Sequence, residues 1–498
     1  MKISSVMEFL RSMWRNIFRM GGLSLLRFDY KKIIVSVVVG IIGVGMVPPP
    51  SLYLRWASIA CGAVYFGYIL HLIFVGKSFW RVVSSVAFVS VVRGVVEYNW
   101  LLEPFNFLPN SGGVGVIIAG VVAVVSMAVY VALFTGMAAG ICWLVRCRVA
   151  HVRVNRMLSL LLFALLFATM EWIRGWLFTG FMWNPVAVMW TWSPKMMAVA
   201  RFVRYFGMCV MTVVLLGMMY VLVPYVETRN IRMMKRYGLG IFILVAIWRG
   251  VGIWMVDFVQ ARKPLPNVRV VNVNIDQNMI NDYYSHGSVD YVKNYVAEQY
   301  MRAIKNMPDW AEVDLFVLPE TSSLYDLTNN AFFEGRYASM NNEKSSLIVG
   351  FNRYSDIDWA TGDFNVYNSI GVVDKNGVQA TYDKMHLVPF GEFVPMRSLL
   401  KMAKFTAGGR DFSAGAHRDI LVVGELKLYP LLCYEAIFET DVPDGVDAIV
   451  TISNDAWFGR WGKIQHFEMA KFRAVEAGVP LIRAANMGIS AIVDENGR

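Results

Sequence analysis

The first half of the chain is a succession of long apolar segments, and this limits its fold more than any other feature. Stretches at roughly 33–49, 52–76, 82–101, 114–145, 157–177, 198–226 and 238–257 are each long enough to cross the ~30 Å hydrocarbon core of a bilayer. Lipid offers the backbone no hydrogen-bond partner, so segments of this kind must be helical. Seven spans are predicted, the fourth of them overlong. Beyond residue 257 the pattern changes to that of a soluble α/β protein. The overall balance, 56% hydrophobic and 17% charged, against about 25% charged in ordinary globular chains, is the average of these unlike parts. Three regions follow: a basic N-terminal segment 1–32, a membrane domain 33–257, and a soluble domain 266–498 large enough for its own core.

The net charge of +10 does not mark a nucleic-acid groove, because the basic residues sit in short clusters between apolar segments. Lys2, Arg11, Arg15, Arg19, Arg27, Lys31 and Lys32 precede the first span. Arg146, Arg148, Arg153 and Arg156 follow the fourth, and Arg229, Arg232, Lys235 and Arg236 follow the sixth. The loop near Glu103 and Asn110 has no basic residue, while Lys195, Arg201 and Arg204 blur the pattern before the sixth span. This alternation predicts a cytoplasmic N-terminus, and seven crossings then carry the soluble domain outside the cytoplasm. No small-residue cleavage site follows the basic N-terminus, which argues against a signal peptide. Arg93, Glu97, Asn99, Glu171 and Arg174 lie in or near spans. Two readings stand for them: a polar mouth near the outer leaflet, or side chains snorkelling to the interface. Trp172, Trp176, Trp183, Trp190 and Trp192 crowd the same region, as an interfacial aromatic belt would.

The soluble half alternates strand and helix signals. Strands are predicted at 268–275, 314–320, 346–350, 366–374, 426–432, 447–452, 480–485 and 489–494, with helices near 288–306 and 328–342. Of five cysteines (61, 142, 147, 209 and 433), only Cys433 lies in this half, so no disulfide can form within it. There is no CxxC pair, HExxH, Cys/His cluster or Gly-rich phosphate loop, so neither a metal nor another cofactor is expected.

Cys433 follows the apolar run Leu428 to Leu432, which reads as the end of a buried strand. Taken alone it is as readily a packed structural cysteine as a nucleophile. Glu320 ends another buried strand, where α/β sheets place ligand crevices; it is equally readable as a helix cap. Lys384 and Glu392 bracket a Pro/Gly-punctuated apolar loop and are individually explicable as salt-bridge partners. Together, thiol, ammonium and carboxylate make a set able to run acyl transfer. Lys384 would lower the thiol pKa and stabilise an oxyanion, and Glu320 would shuttle the proton.

The stretches Leu318-Pro-Glu320, Lys384-Met-His-Leu-Val-Pro-Phe-Gly-Glu392-Phe-Val-Pro395, Cys433-Tyr-Glu435 and Thr451-Ile-Ser-Asn-Asp-Ala-Trp-Phe-Gly459 resemble the nitrilase (carbon–nitrogen hydrolase) superfamily, and within it the apolipoprotein N-acyltransferases. Gln465-His-Phe, Asn486-Met-Gly-Ile-Ser490 and, in the membrane half, the run from Glu171 to Trp183 extend the likeness from about residue 30 to the end. The resemblance implies a multi-span α-helical membrane domain followed by an α/β αββα sandwich over 266–498. It implies Glu320 as base, Lys384 as stabilising cation and Cys433 as nucleophile. Glu392 would orient Lys384, and Tyr434 and Glu435 would shape the pocket. Trp457, Phe458, Glu171 and Arg174 are the candidates for substrate binding. The implied reaction passes a phospholipid acyl chain through a Cys433 thioester to the α-amine of a diacylglyceryl-cysteine on an apolipoprotein. The implied location is a bacterial inner membrane, with the catalytic domain extracytoplasmic and the protein a monomer by default.

Two departures from the family's pattern are expected to matter. The segment Asn278 to His286 has no Trp where the family usually carries one, and the chain stops at Arg498, before the family's further strands and last span. The soluble domain is accordingly expected to be truncated, with activity weakened or abolished. The competing readings are a membrane-tethered amidase, a catalytically inactive lipoprotein-binding scaffold and a transporter. The seven spans argue against the first, the intact Glu/Lys/Cys loops against the second, and the same set left without a role against the third.

Overall fold

The computed structural model describes all residues except 1–29, 47–53, 109–110, 149–154, 258–263, 287–288, 356–362, 399–403 and 405–409. Nearly all of the basic segment 1–32, the Pro48–Pro50 turn and Arg153 lie outside the described residues. The chain divides into two compact units. The first comprises 1–99, 121–192 and 203–250, and the second 100–120, 193–202 and 251–498.

Among the described residues, seven long apolar helices run through the first half: α1 (Tyr30–Val44), α2 (Leu54–Val75), α3 (Phe79–Glu97), α4 (Val114–Arg148), α5 (Arg156–Arg174), α6 (Ala200–Glu227) and α7 (Ile231–Asp257). Among the described residues, six of them, α2 to α7, are long and apolar enough to cross a membrane, so the protein is a multi-pass membrane protein. The segment predicted at 33–49 is helical as α1, which has 15 residues. The overlong fourth segment is one helix of 35 residues, about 52 Å at 1.5 Å per residue. Helix α7 starts seven residues before the predicted span, because Arg232, Lys235 and Arg236 continue the helix instead of forming a loop.

Of the polar residues singled out above, Glu97, Glu171 and Arg174 are buried and paired, Arg93 is half-buried and paired, and Asn99 is exposed. Arg93 Nε lies 2.9 Å from Glu97, and Arg174 Nη2 lies 2.5 Å from Glu171. Asn184 Nδ2 donates to Glu97 Oε1 at 2.5 Å, and Arg174 donates to the Trp183 carbonyl at 3.3 Å. The pairing is i,i+4 and i,i+3 along single helices, and the contacts at Trp183 and Asn184 tie the stretch between α5 and α6, which holds three short helical turns, to α5 and α3.

The second unit holds two five-stranded sheets. In the first, β1 (Val268–Val270), β2 (Leu315–Val317) and β3 (Ser346–Tyr354) are parallel, and β4 (Val366–Asp374) and β5 (Gly377–Asp383) complete it antiparallel, in sequence order. In the second, β7 (Leu426–Leu432), β8 (Ala448–Asn454) and β9 (Leu481–Asn486) form the parallel centre. The antiparallel edges are β6 (Leu421–Val423) and β10 (Ala491–Val493). The sheets face one another, with β4 over β7 and β2 over β9.

The helices α8 (Gln277–His286), α9 (Val289–Lys305) and α10 (Ala331–Ala338) belong to the first sheet, and α11 (Arg460–Ala477) covers the second. Val296, Tyr300 and Ile304 of α9 bury against Phe316, Leu318 and Val349. Ala470 and Ala474 of α11 pack on Tyr429, Leu431, Ile449 and Leu481. The result is an αββα sandwich whose strands are apolar on both faces, as parallel strands covered on both sides must be.

Candidate active site

The parallel strands β2, β7 and β8 and the edge strand β5 bring their carboxyl ends together at one end of the sandwich. Glu320 follows β2, Lys384 follows β5, Cys433 follows β7, and Asn454 and Asp455 close β8 and begin the next turn. Residues from distant parts of the sequence thus meet, Glu320 and Cys433 being 113 positions apart, at the crevice such sheets offer. Cys433 opens a 3₁₀ turn (Cys433–Ile437) with φ +51°. A non-glycine residue held in this region costs about 1–3 kcal/mol and is maintained only when its surroundings over-determine it.

Those surroundings are hydrogen bonds to Glu435. Its carboxylate accepts from the Leu432 N–H at 2.8 Å, the Tyr382 hydroxyl at 2.7 and 2.9 Å, and the Met385 and His386 N–H groups at 3.0 and 3.1 Å. Arg418 Nη2 adds a charged contact at 2.7 Å. One buried carboxylate therefore locks the turn bearing Cys433 to the loop bearing Lys384. Tyr434 is buried with its ring edge-on to Phe438 and His386.

Lys384 and Glu392 form a buried pair, with Nζ 3.0 Å from Oε1 and 2.9 Å from Oε2. Glu392 also accepts from the Val388 N–H at 2.8 Å. Asn368 Nδ2 bridges the two acids, donating to Glu320 Oε1 at 2.7 Å and to Glu392 Oε1 at 2.8 Å. The Asn454 N–H holds the other Glu320 oxygen at 2.6 Å. Asn454 falls in the stretch from Thr451 to Gly459 that carries the family resemblance, which gives it no role, and Asn368 shows only as part of the polar Asn368-Ser369 pair inside an otherwise apolar strand.

Charge distribution follows from burial. Burial pushes the Cys433 thiol well above its ordinary value, and the Glu320 charge adds to this, while Lys384 pulls the other way. The thiol is therefore not lowered overall, contrary to the expectation from Lys384 alone. Burial and Glu392 also raise Glu320, against Lys384 and the hydrogen bonds from Asn368 and Cys433. Burial would favour a neutral Lys384, but the Glu392, Cys433 and Glu320 charges outweigh it and hold the ammonium above its ordinary value. The site thus contains a protonated thiol, a carboxylate with raised proton affinity and a fixed cation.

Glu320, Glu392, Asn368, Asn454 and Trp457 line a cavity of about 70 Å³. It is sized for a few waters, and neither Cys433 nor Lys384 lines it. Phe458 turns inward, its ring edge-on to Trp100 and His466. Glu171 and Arg174 belong to the first unit, where they pair with each other. Gly350 backs onto Glu320: a Cβ there would lie 2.7 Å from Glu320 Cα and 2.8 Å from the Pro319 carbonyl oxygen. Gly350→Ala is therefore expected to cost ~1–3 kcal/mol by overpacking against backbone, read as a lowered thermal midpoint, and to displace Glu320.

The sequence profile of the carbon–nitrogen hydrolases matches residues 277–498. That of the apolipoprotein N-acyltransferase N-terminal domain matches 49–218. The chain is similar to the apolipoprotein N-acyltransferase of Allorhizobium ampelinum, 35% identical over 347 residues, covering 67% of this chain and 63% of that protein. It is likewise similar to the apolipoprotein N-acyltransferase of Rhizobium meliloti, 36% identical over 357 residues, with 67% and 63% covered. Among solved structures, a CN-hydrolase superfamily protein of Xanthomonas campestris aligns at 17% identity with a TM-score of 0.31, over 41% of this chain and 78% of that one. The match thus spans about 63% of the length of these curated relatives. With an apolipoprotein N-acyltransferase N-terminal domain joined to a carbon–nitrogen hydrolase domain, the chain belongs to the apolipoprotein N-acyltransferase family.

Proposed function

We propose that the protein transfers a fatty acyl chain from a membrane phospholipid to the N-terminal α-amine of a diacylglyceryl-cysteine on an apolipoprotein, by way of a Cys433 thioester. The observation that carries this reading is the convergence of Glu320, Lys384 and Cys433 at one end of the sandwich, with the thiol on a backbone turn locked by Glu435. Its membership of the apolipoprotein N-acyltransferase family and its membrane helices support the choice of donor and acceptor.

The chemistry runs in two halves. Cys433 Sγ attacks the ester carbonyl of the donor as its proton passes to Glu320. Lys384 faces the oxyanion that develops, and its charge is already fixed by Glu392, so little reorganisation is needed. Collapse breaks the ester C–O bond, and the lysophospholipid oxygen leaves with the proton from Glu320. The acceptor amine then attacks the thioester carbonyl, gives a proton to Glu320, and the sulfur departs and is reprotonated. A neutral resting thiol beside a carboxylate of raised proton affinity supports general-base activation over a standing thiolate. The charge pattern of the loops supports a cytoplasmic N-terminus with the sandwich extracytoplasmic.

Intact-mass measurement after incubation with phospholipid vesicles tests this. The expected result is a mass increase of one acyl chain, located on Cys433, removed by hydroxylamine or by a diacylglyceryl lipopeptide, and missing in Cys433→Ala. An adduct lost to water but never passed to the lipopeptide would make the protein a hydrolase. A folded protein with no adduct would exclude the thioester route.

A further inference from the structure

Beneath Cys433 lies a second group of buried charges that the acyl-transfer scheme does not use. Ser453, Asp455, His466 and Arg483 are all fully buried. Ser453 Oγ lies 3.2 Å from Cys433 Sγ and 2.6 Å from Asp455 Oδ1. Arg483 Nη2 donates to Asp455 at 2.9 and 3.2 Å and lies 3.2 Å from His466 Nδ1. His466 Nδ1 is 3.0 Å from Asp455 Oδ1, and Nε2 is 3.0 Å from the Cys433 carbonyl oxygen. The carbonyl can only accept, so Nε2 donates to it, while Nδ1 lies between the Asp455 carboxylate and the Arg483 guanidinium.

Ser453 has one hydroxyl hydrogen and two acceptors within reach. Against a neutral thiol the carboxylate is the stronger acceptor, and the shorter distance agrees. Against a thiolate the balance changes, because Asp455 keeps Arg483 as a donor to both of its oxygens and loses little by releasing the hydroxyl. Asp455 stays ionised throughout: burial pushes its pKa up, but Arg483 and His466 outweigh burial and hold it well below the ordinary range.

We propose that Ser453 is a further catalytic residue, whose hydroxyl hydrogen turns from Asp455 to the Cys433 sulfur whenever that sulfur becomes negative. Asp455, His466 and Arg483 are positioning residues: they hold the hydroxyl in place and grip the Cys433 carbonyl from below. The Ser453 proton is never transferred; the thiol proton still goes to Glu320. The same hydrogen bond assists the sulfur as leaving group when the amine displaces it. The inference rests on reading Cys433 as the nucleophile.

The test is the pH dependence of Cys433 alkylation by iodoacetamide, followed by mass spectrometry on the full-length protein in detergent without lipid. The titratable and charged groups around the sulfur are Glu320 and Lys384 from the first sheet, with Glu392 behind them, and Asp455, His466 and Arg483 from the second. Ser453→Ala is expected to shift the profile to higher pH and slow alkylation at pH 8 by about tenfold or more, the effect of losing one hydrogen bond to a charged group. Asp455→Asn is expected to shift it the other way, by removing a neighbouring negative charge and the competing acceptor. A Ser453→Ala profile that coincides with the native one, or one more reactive, overturns the proposal. So does an upward shift in Asp455→Asn, and if that variant does not fold the Ser453→Ala profile alone decides. Because alkylation needs no acyl donor, the result stands whether or not the lipid adduct is seen.

Discussion

Glu320→Gln is expected to slow formation of the Cys433 acyl adduct by at least ~10²-fold, the lower end of what a positioned general base contributes. The size of the effect follows from the state of the thiol. Burial holds Cys433 protonated, so the base has to remove a proton in every acylation event. The amide can still accept from Asn368, but the oxygen held at 2.6 Å by the Asn454 N–H is matched by an amide group only if the two ends of the side chain change places. The pH dependence has a definite sign. Native activity requires ionised Glu320, whose pKa is raised, so it declines as pH falls while still above the ordinary carboxylate range of about 4.3. In Glu320→Gln this acid limb should disappear, and residual acylation should climb with pH as hydroxide replaces the missing base. Quenched-flow mass spectrometry of the adduct across pH measures both effects. A native-like rate in a folded Glu320→Gln protein would remove Glu320 from the mechanism.

Lys384→Met should abolish acylation and also destabilise the protein by ~3–5 kcal/mol, the usual result of removing one member of a buried ion pair. The side chains of Lys384 and Glu392 are 1% and 5% exposed, so Glu392 would be left charged with no water to replace the ammonium. The two losses separate in a double variant. Lys384→Met with Glu392→Gln removes the stranded charge and should regain most of the thermal midpoint, while acylation stays absent for want of a cation at the oxyanion. Lys384→Arg should keep the charge yet fail to acylate, because a planar guanidinium cannot occupy the place of a compact ammonium already bonded by both Glu392 oxygens. Thermal denaturation in detergent and adduct formation are the two readouts. Acylation by the double variant at the native rate would show that Lys384 serves only to neutralise Glu392.

Much of the fold was legible where one physical signal dominated. The strands Val366–Asp374 and Leu426–Leu432 have the predicted bounds, because largely apolar runs between turn residues leave little choice. Helix α11 was not foreseen, since its buried face carries Gln465, His466, Arg473 and Glu476 and so lacks the apolar stripe that marks a helix. Strand β5 was missed for a related reason: Gly377-Val-Gln-Ala-Thr-Tyr-Asp is a half-exposed edge with little apolar pattern. In the site, the chemically distinctive residues stood out, and the structure places Glu320, Lys384 and Cys433 together. Of their supports, Glu392, Tyr434 and Glu435 stood out through the family resemblance, but Asn368 did not. Asn368 and Ser453 acquire meaning only when carboxylates from distant strands arrive beside them, which no local spacing records. The sign of the thiol shift was hidden for the same reason, because the dominant contribution is burial.

The candidate centre is divided between the two sheets: Glu320, Asn368, Lys384 and Glu392 come from the first, and Cys433, Ser453 and Asn454 from the second. The contact from Glu320 to Asn454 spans 134 residues, so it forms only after both sheets have been made and docked. During synthesis and membrane insertion Cys433 is thus an ordinary cysteine, without a base or a cation beside it. On the acyl-transfer mechanism proposed above, the chain acquires its nucleophile late in biogenesis, once the fold that governs the group is complete.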